Sequence, residues 1–356
     1  MGLSVSKYAY ISAKVKGMRL RLLDSEDYKA LIDCHDLNQV LEYLENTDYG
    51  EEIAEARLRG SEAAIIEEAI MKNLFKTFRK VAEKAPSTLR SFILESMRKF
   101  EVENIKAILR CLRAGLSPRE ALGFITPIPF GLPREAYEGF LEKITGIEDL
   151  VRRMENTDYG TVLKASLDDY LSKGSLLPLE AALDKHLYGS LWARGEKMKG
   201  RDRRISTALL GMEIDLLNIK VILRSKSLGL GKEDCLGYLI PILHNLTREQ
   251  IEKALEAEEV GDAIVALSAR PYAELLAKTL VEYETTGFFK GFDIERDRII
   301  LKENRRIVRI YPSPFHAGTV LSFLNLKWFE VRNLRTLIYG KEDGLLPEAL
   351  EGLLIL

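Results

Sequence analysis

One ten-residue pattern is written three times along this chain, and it limits what the chain can fold into more than any other feature. Glu101-Val102-Glu103-Asn104-Ile105-Lys106-Ala107-Ile108-Leu109-Arg110 recurs as Asp215-Leu216-Leu217-Asn218-Ile219-Lys220-Val221-Ile222-Leu223-Arg224. It recurs again as Glu330-Val331-Arg332-Asn333-Leu334-Arg335-Thr336-Leu337-Ile338-Tyr339. Each copy has an acid, two residues, Asn, Ile or Leu, a base, one residue, then two aliphatics. The asparagines lie 114 and 115 residues apart. A period of that length describes three related units, each large enough for a small core of its own, rather than a short tandem solenoid.

The repeat extends beyond one helix. Asn46-Thr47-Asp48-Tyr49-Gly50 is identical to Asn156-Thr157-Asp158-Tyr159-Gly160, and Arg270-Pro271-Tyr272 stands at the third place with only its Tyr retained. Downstream of the motif, Gly115-Leu116-Ser117-Pro118 corresponds to Gly229-Leu230-Gly231-Lys232 and to Gly344-Leu345-Leu346-Pro347. The units divide as 1–131, with an extra N-terminal helix, then 132–245 and 246–356. Thr126-Pro127-Ile128-Pro129-Phe130-Gly131-Leu132-Pro133 is the first boundary, because three prolines hold a connection extended. Thr247 caps the first helix of the last unit.

Almost the whole chain reads as α-helix. Tyr8, Ile11, Val15 and Met18 share one face of an N-terminal helix at helical spacing. Asp24 and Asp36 are N-cap residues, and a long helix spans 61–84. Motif helices are expected over 88–114, 205–226 and 319–339, the first closed by Gly115. In the Asn-Thr-Asp-Tyr-Gly turns, Tyr49 and Tyr159 are expected to pack inward on their own units, with Gly50 and Gly160 ending helices. Residues 298–311 mix β-branched and charged residues enough to suggest one short strand. The fold class that results is all-α: three related helical bundles in a pseudo-threefold arrangement.

Chemistry is harder to find. Four histidines (His35, His186, His244, His316) have no metal-ligand spacing, and no Cys-x-x-Cys or His-Glu-x-x-His occurs. Phosphate-cradling glycine loops and nucleophile elbows are missing as well. No catalytic, cofactor or metal residue is assigned, and the chain reads as a non-enzyme. A net charge of −2 gives no electrostatic case for nucleic acid. Cys34, Cys111 and Cys235 read as free thiols. No run of about 18 apolar residues is present to span a bilayer.

Two groups of polar residues are the site candidates. The first is the repeat motif itself: Glu101, Asn104 and Lys106; Asp215, Asn218 and Lys220; Glu330, Asn333 and Arg335. On a helix the acid and the Asn, three apart, share a face. That arrangement reads as a structural joint, with a ring of three polar groups around an axial partner as the second reading. The second group is the basic joint Lys197–Arg204, which reads as a solvated turn, with a contact from Arg201, Arg203 and Arg204 to an acidic partner as the second reading.

The order of these motifs resembles the C subunit of the archaeal A-type and bacterial V-type ATPases, which is the d subunit of the eukaryotic V-type enzyme. The resemblance spans essentially the full chain. It rests on the opening Tyr8-Ala9-Tyr10-Ile11-Ser12-Ala13-Lys14-Val15, on the Thr-Asp-Tyr turns and on the threefold Asn-Ile-Lys helices. Lys14 departs from a more usual Arg, and the third turn is degenerate. The resemblance implies a funnel of three bundles, a non-catalytic rotor subunit of a proton- or sodium-translocating complex. Its implied partners are the central-shaft subunits and the membrane proteolipid ring, with no small-molecule substrate and no cofactor. Its implied place is peripheral, on the cytoplasmic face of the membrane. The competing class is a free-standing helical-repeat scaffold that binds another protein.

Overall fold

In a computed structural model, which describes residues 2–128 and 134–356 (leaving aside the side chains of 2–6 and 134–136), the described residues form twenty-one α-helices and no strand. The fold is all-α. Part of the proline-rich boundary, residues 129–133, lies outside the described residues. Residues 298–311 form no strand: they continue helix α19, Phe292–Ile310. Asp297, Leu301 and Asn304 are buried at spacings of four and three, which suits a helical face rather than a two-residue alternation.

The local signals work as sequence chemistry requires. Asp24 caps α2 (Ser25–Asp33) in a reciprocal box with Asp27, Asp36 caps α3 (Leu37–Glu45), and Thr247 caps α16 (Arg248–Glu256) with Gln250. Gly115 closes α7 (Arg98–Ala114) at φ 70°, and Gly229 and Gly344 repeat that left-handed backbone at φ 66° and 72°. The first motif segment is two helices, α6 (Ser87–Ser96) and α7, joined at Met97. The other two are single long helices, α14 (Gly200–Ser227) and α20 (Ala317–Glu342).

Gly50 and Gly160 do not end helices. Gly50 opens α4 (Gly50–Arg57), and Gly160 lies in the first turn of α11 (Asp158–Ala165). Neither has a positive φ. Close approach explains them: a Cβ at Gly50 would sit 2.4 Å from the Glu45 carbonyl oxygen, and one at Gly160 would sit 1.9 Å from that of Met154.

Two compact units result, and they cut the chain differently from the three repeats. One joins residues 1–94 and 122–139 to 304–356; the other contains 95–121 and 140–303. Inside the first, α20 packs on α5 (Ala63–Ala82), α1 (Gly2–Arg19) and α3. Inside the second, Leu216, Ile219, Ile222 and Leu223 of α14 share one core with Ile251, Leu255, Ile264, Leu267, Leu275 and Leu276. A motif helix therefore spends its apolar face on the repeat that follows it. Each fully buried Leu or Ile contributes roughly 1.5–3 kcal/mol by leaving water, so this handover decides where the compact units form.

Candidate functional site

The nine motif residues sit in three joints of one construction. At each joint the motif acid of one repeat accepts a hydrogen bond from the turn tyrosine of the next. Tyr159 Oη donates to Glu101 Oε2 at 2.6 Å, and Tyr272 Oη to Asp215 Oδ2 at 2.8 Å. The last repeat hands back to the first, with Tyr49 Oη donating to Glu330 Oε1 at 2.7 Å. Tyr49 and Tyr159 are buried, and each hydroxyl reaches the motif helix of the preceding repeat, while the Tyr159 ring also packs edge-on against His186 of its own repeat at 6.1 Å. The first two bonds join residues 58 and 57 apart in sequence, and the third joins residues 281 apart.

The acids also hold the chain just before the next repeat's first helix. Leu23 N–H donates to Glu330 Oε2 at 2.6 Å. At the matching place, His244, Asn245 and Leu246 donate backbone N–H groups to Asp215 at 3.0, 2.6 and 3.1 Å. Asp215 therefore accepts four hydrogen bonds while fully buried, which is how an isolated carboxylate is tolerated away from water. Glu101 differs, because 39% of its side chain remains exposed.

Cations six residues before the asparagines complete two joints. Lys327, 1% exposed, donates to Glu330 Oε1 at 2.8 Å and lies 3.9 Å over the Tyr49 ring. Arg98 lies 4.8 Å over the Tyr159 ring and donates to its oxygen at 2.9 Å. Met212 occupies this place in the middle copy. Burial, reinforced by the neighbouring carboxylate, pushes the Tyr49, Tyr159 and Tyr272 hydroxyls above the ordinary tyrosine range.

The asparagines pin backbone. Asn218 donates to Ile240 O at 3.0 Å and accepts from Ile240 N at 2.8 Å. Asn333 does the same with Ile355, at 2.8 Å both ways. Both targets lie 22 residues downstream. A side-chain amide pairing with both polar groups of one residue fixes that segment in a single register. Asn104 is equally buried.

The motif bases reach the long helix of the following repeat. Lys106 donates to Asp184 Oδ1 at 2.5 Å on α13 (Leu177–Glu196), and Lys220 to both oxygens of Asp293 on α19 at 2.8 and 2.7 Å. Arg335 Nε pairs with Glu67 Oε1 on α5 at 2.6 Å, and Tyr339 donates to the other oxygen at 2.6 Å. Burial works against the charge on Lys106, yet Asp184 and Glu103 outweigh it and hold the ammonium above its usual range. Glu180 receives Arg110 at 2.6 Å and also Arg224. Its burial opposes ionisation, but those two guanidinium groups hold the carboxyl below the usual range.

The basic segment is arranged otherwise than as a turn. Only 197–199 separate α13 from α14, and Arg201, Arg203 and Arg204 lie exposed in the first turn of α14. Arg203 Nη2 pairs with Glu196 Oε2 at 2.6 Å. Sequence reasoning misses Glu67, Asp184, Asp293, Arg98 and Lys327. Arg98 and Lys327 carry a readable signal, a cation six residues before the Asn. The acids on the long helices carry none, since the repeats do not align there residue for residue.

Among the described residues, no group of three or more His, Cys, Asp or Glu is placed to hold a metal ion, and no helix is long and apolar enough to cross a membrane. The joints define a class: an all-helical repeat protein whose motif acids and bases pair with another repeat while its motif asparagines pin their own. The profile of the family described as ATP synthase (C/AC39) subunit matches residues 11–353, and the chain belongs to that family. It is similar to the A-type ATP synthase C subunit of Methanocaldococcus jannaschii, with 28% identity over 100% of this chain and 88% of that protein. The C subunit of Methanothermobacter thermautotrophicus is also 28% identical, over 98% of this chain and 87% of the relative. That of Archaeoglobus fulgidus is 28% identical, over 97% and 95%.

Proposed function

We propose that this chain is a non-catalytic subunit of a rotary A-type or V-type ATPase, the socket between the central shaft and the membrane proteolipid ring. The observation that carries the reading is the family match along nearly the whole chain, together with relatives named as the C subunit of A-type ATP synthase. In this reading the three repeats are bundles about a pseudo-threefold axis. The protein works peripherally at the cytoplasmic face of the membrane, passes torque, and binds neither nucleic acid nor a small-molecule substrate. The motif residues serve as the joints between bundles, and Arg201, Arg203 and Arg204 are the candidate contact to a partner.

The joints suit a torque-bearing part. Their bonds are short, charge-assisted and buried in two of three cases, and removing one member of such a set costs several kcal/mol. A load that turns around an axis meets the same construction at each joint. Titration calorimetry of the pure chain against the shaft subunits, and separately against the detergent-solubilised ring, tests the role. Saturable binding to both is expected. Binding to neither, with capture of an unrelated protein instead, would make the chain a free-standing scaffold.

A further inference from the structure

The three joints are alike in plan, but the long helix that each motif base grips is held in three different ways. Helix α5 buries ten apolar side chains along its length, α13 seven and α19 three. The gripping pairs differ too, since two of them keep the acid well covered. Arg335 and Glu67 are 29% and 3% exposed, and Lys106 and Asp184 are 5% and 13% exposed. Lys220 and Asp293 are 29% and 43% exposed. A second pair, Lys278 to Glu295 at 2.9 Å, holds α19 to α18 (Ala273–Thr286), and its lysine is half exposed. Phe292 is the apolar anchor at the start of α19.

We propose that residues 293–303, the turns of α19 that follow this anchor, form an ionically latched arm. They lie on their unit through Lys220–Asp293 and Lys278–Glu295, and they lift when those pairs are screened, while α5 and α13 stay in place. Exposed ion pairs are attenuated by salt, since the screening length falls from about 10 Å at 0.1 M to about 3 Å at 1 M. Apolar packing has no such dependence. Ile299 and Ile300 touch the core but are only partly buried, and a segment with less buried apolar surface than its neighbours opens locally at a lower free energy. Arg296 shares Asp293 at 2.8 Å and Arg298 shares Glu295 at 2.5 Å. Opening therefore leaves both carboxylates with a partner on their own helix, so neither is stranded. The inference concerns the isolated chain and does not depend on the coupling role.

Hydrogen exchange with mass spectrometry on the full chain, at 0.05 M and 1 M KCl and neutral pH, tests it. Each exposed pair shifts an opening equilibrium by up to about fivefold, so two together give on the order of tenfold. Amides of 293–303 should exchange about tenfold faster at high salt, and those of 66–82 and 180–196 less than about twofold faster. Lys220→Met should reproduce the fast exchange at low salt. The exchanged pair Lys220→Asp with Asp293→Lys should restore protection. Exchange of 293–303 as slow as that of 180–196 at both salts, or fast at both, would overturn the latch. So would a reversed pair that fails to restore protection while 66–82 remains protected.

Discussion

Replacing Glu330 with Ala removes the acceptor shared by Leu23 N–H, Tyr49 Oη and Lys327 Nζ. Lys327 is then left buried without its carboxylate, and three donors lose a charged partner. Hydrogen bonds to charged groups contribute about 1.5–3 kcal/mol each, and breaking a buried ion pair from one side costs about 3–5 kcal/mol. These contributions overlap, so about 4 kcal/mol is the expected loss. The unit that holds this joint has about 165 residues. At about 2.1 cal/mol/K of unfolding entropy per residue, 4 kcal/mol lowers its melting temperature by about 11 °C. The same change at Glu101, whose side chain is 39% exposed, should cost about 1 kcal/mol. Asp215→Ala should cost at least as much as Glu330→Ala, because Asp215 is fully buried with four donors. Differential scanning calorimetry of the three variants gives the ranking directly. Equal losses at all three acids, or less than about 1 kcal/mol at Glu330, would refute the claim that burial and donor count set the strength of a joint. Adding Lys327→Met to Glu330→Gln should recover most of the loss, since it removes the stranded charge.

Tyr49→Ala should cost about 3–5 kcal/mol, and a loss below about 1 kcal/mol in urea denaturation would contradict its place in the joint. Alkaline pH should weaken the fold. The three joint tyrosines have folded pKa values raised above the ordinary value near 10, so their stabilisation is complete below that pH and is lost as pH rises beyond it. Melting temperature should therefore fall above about pH 10, and phenolate absorbance should grow in step with unfolding rather than before it. Gly160→Ala should destabilise by more than about 2 kcal/mol, because the new methyl would meet the Met154 carbonyl; a neutral result in thermal melts would mean that the turn yields.

Much of this is legible in the sequence, and the misses have physical reasons. The repeat, the helix caps and the apolar faces are local patterns, and a local pattern is enough to specify a helix and its ends. The identical Asn-Thr-Asp-Tyr-Gly turns mark the right residues, but a sequence does not say which helix a tyrosine meets. Tyr49 meets Glu330, far along the chain, because the last repeat closes on the first. Gly50 and Gly160 mislead because a glycine required for close approach looks the same as one required for a left-handed backbone. The strand suggested at 298–311 follows β-branched content, a preference that packing overrides. Glu67, Asp184 and Asp293 escape notice because long surface-rich helices carry many acids, and only the fold selects the ones that face a base.

The most direct test of the coupling role is whether the chain joins two bodies that do not otherwise bind. Proteolipid ring reconstituted in liposomes is mixed with the central-shaft subunits, with and without the chain, and sedimented. The account predicts that the shaft pellets with the ring only when the chain is present, in proportion to the chain added. A shaft that pellets equally well without the chain, or stays in the supernatant with it, would contradict the account.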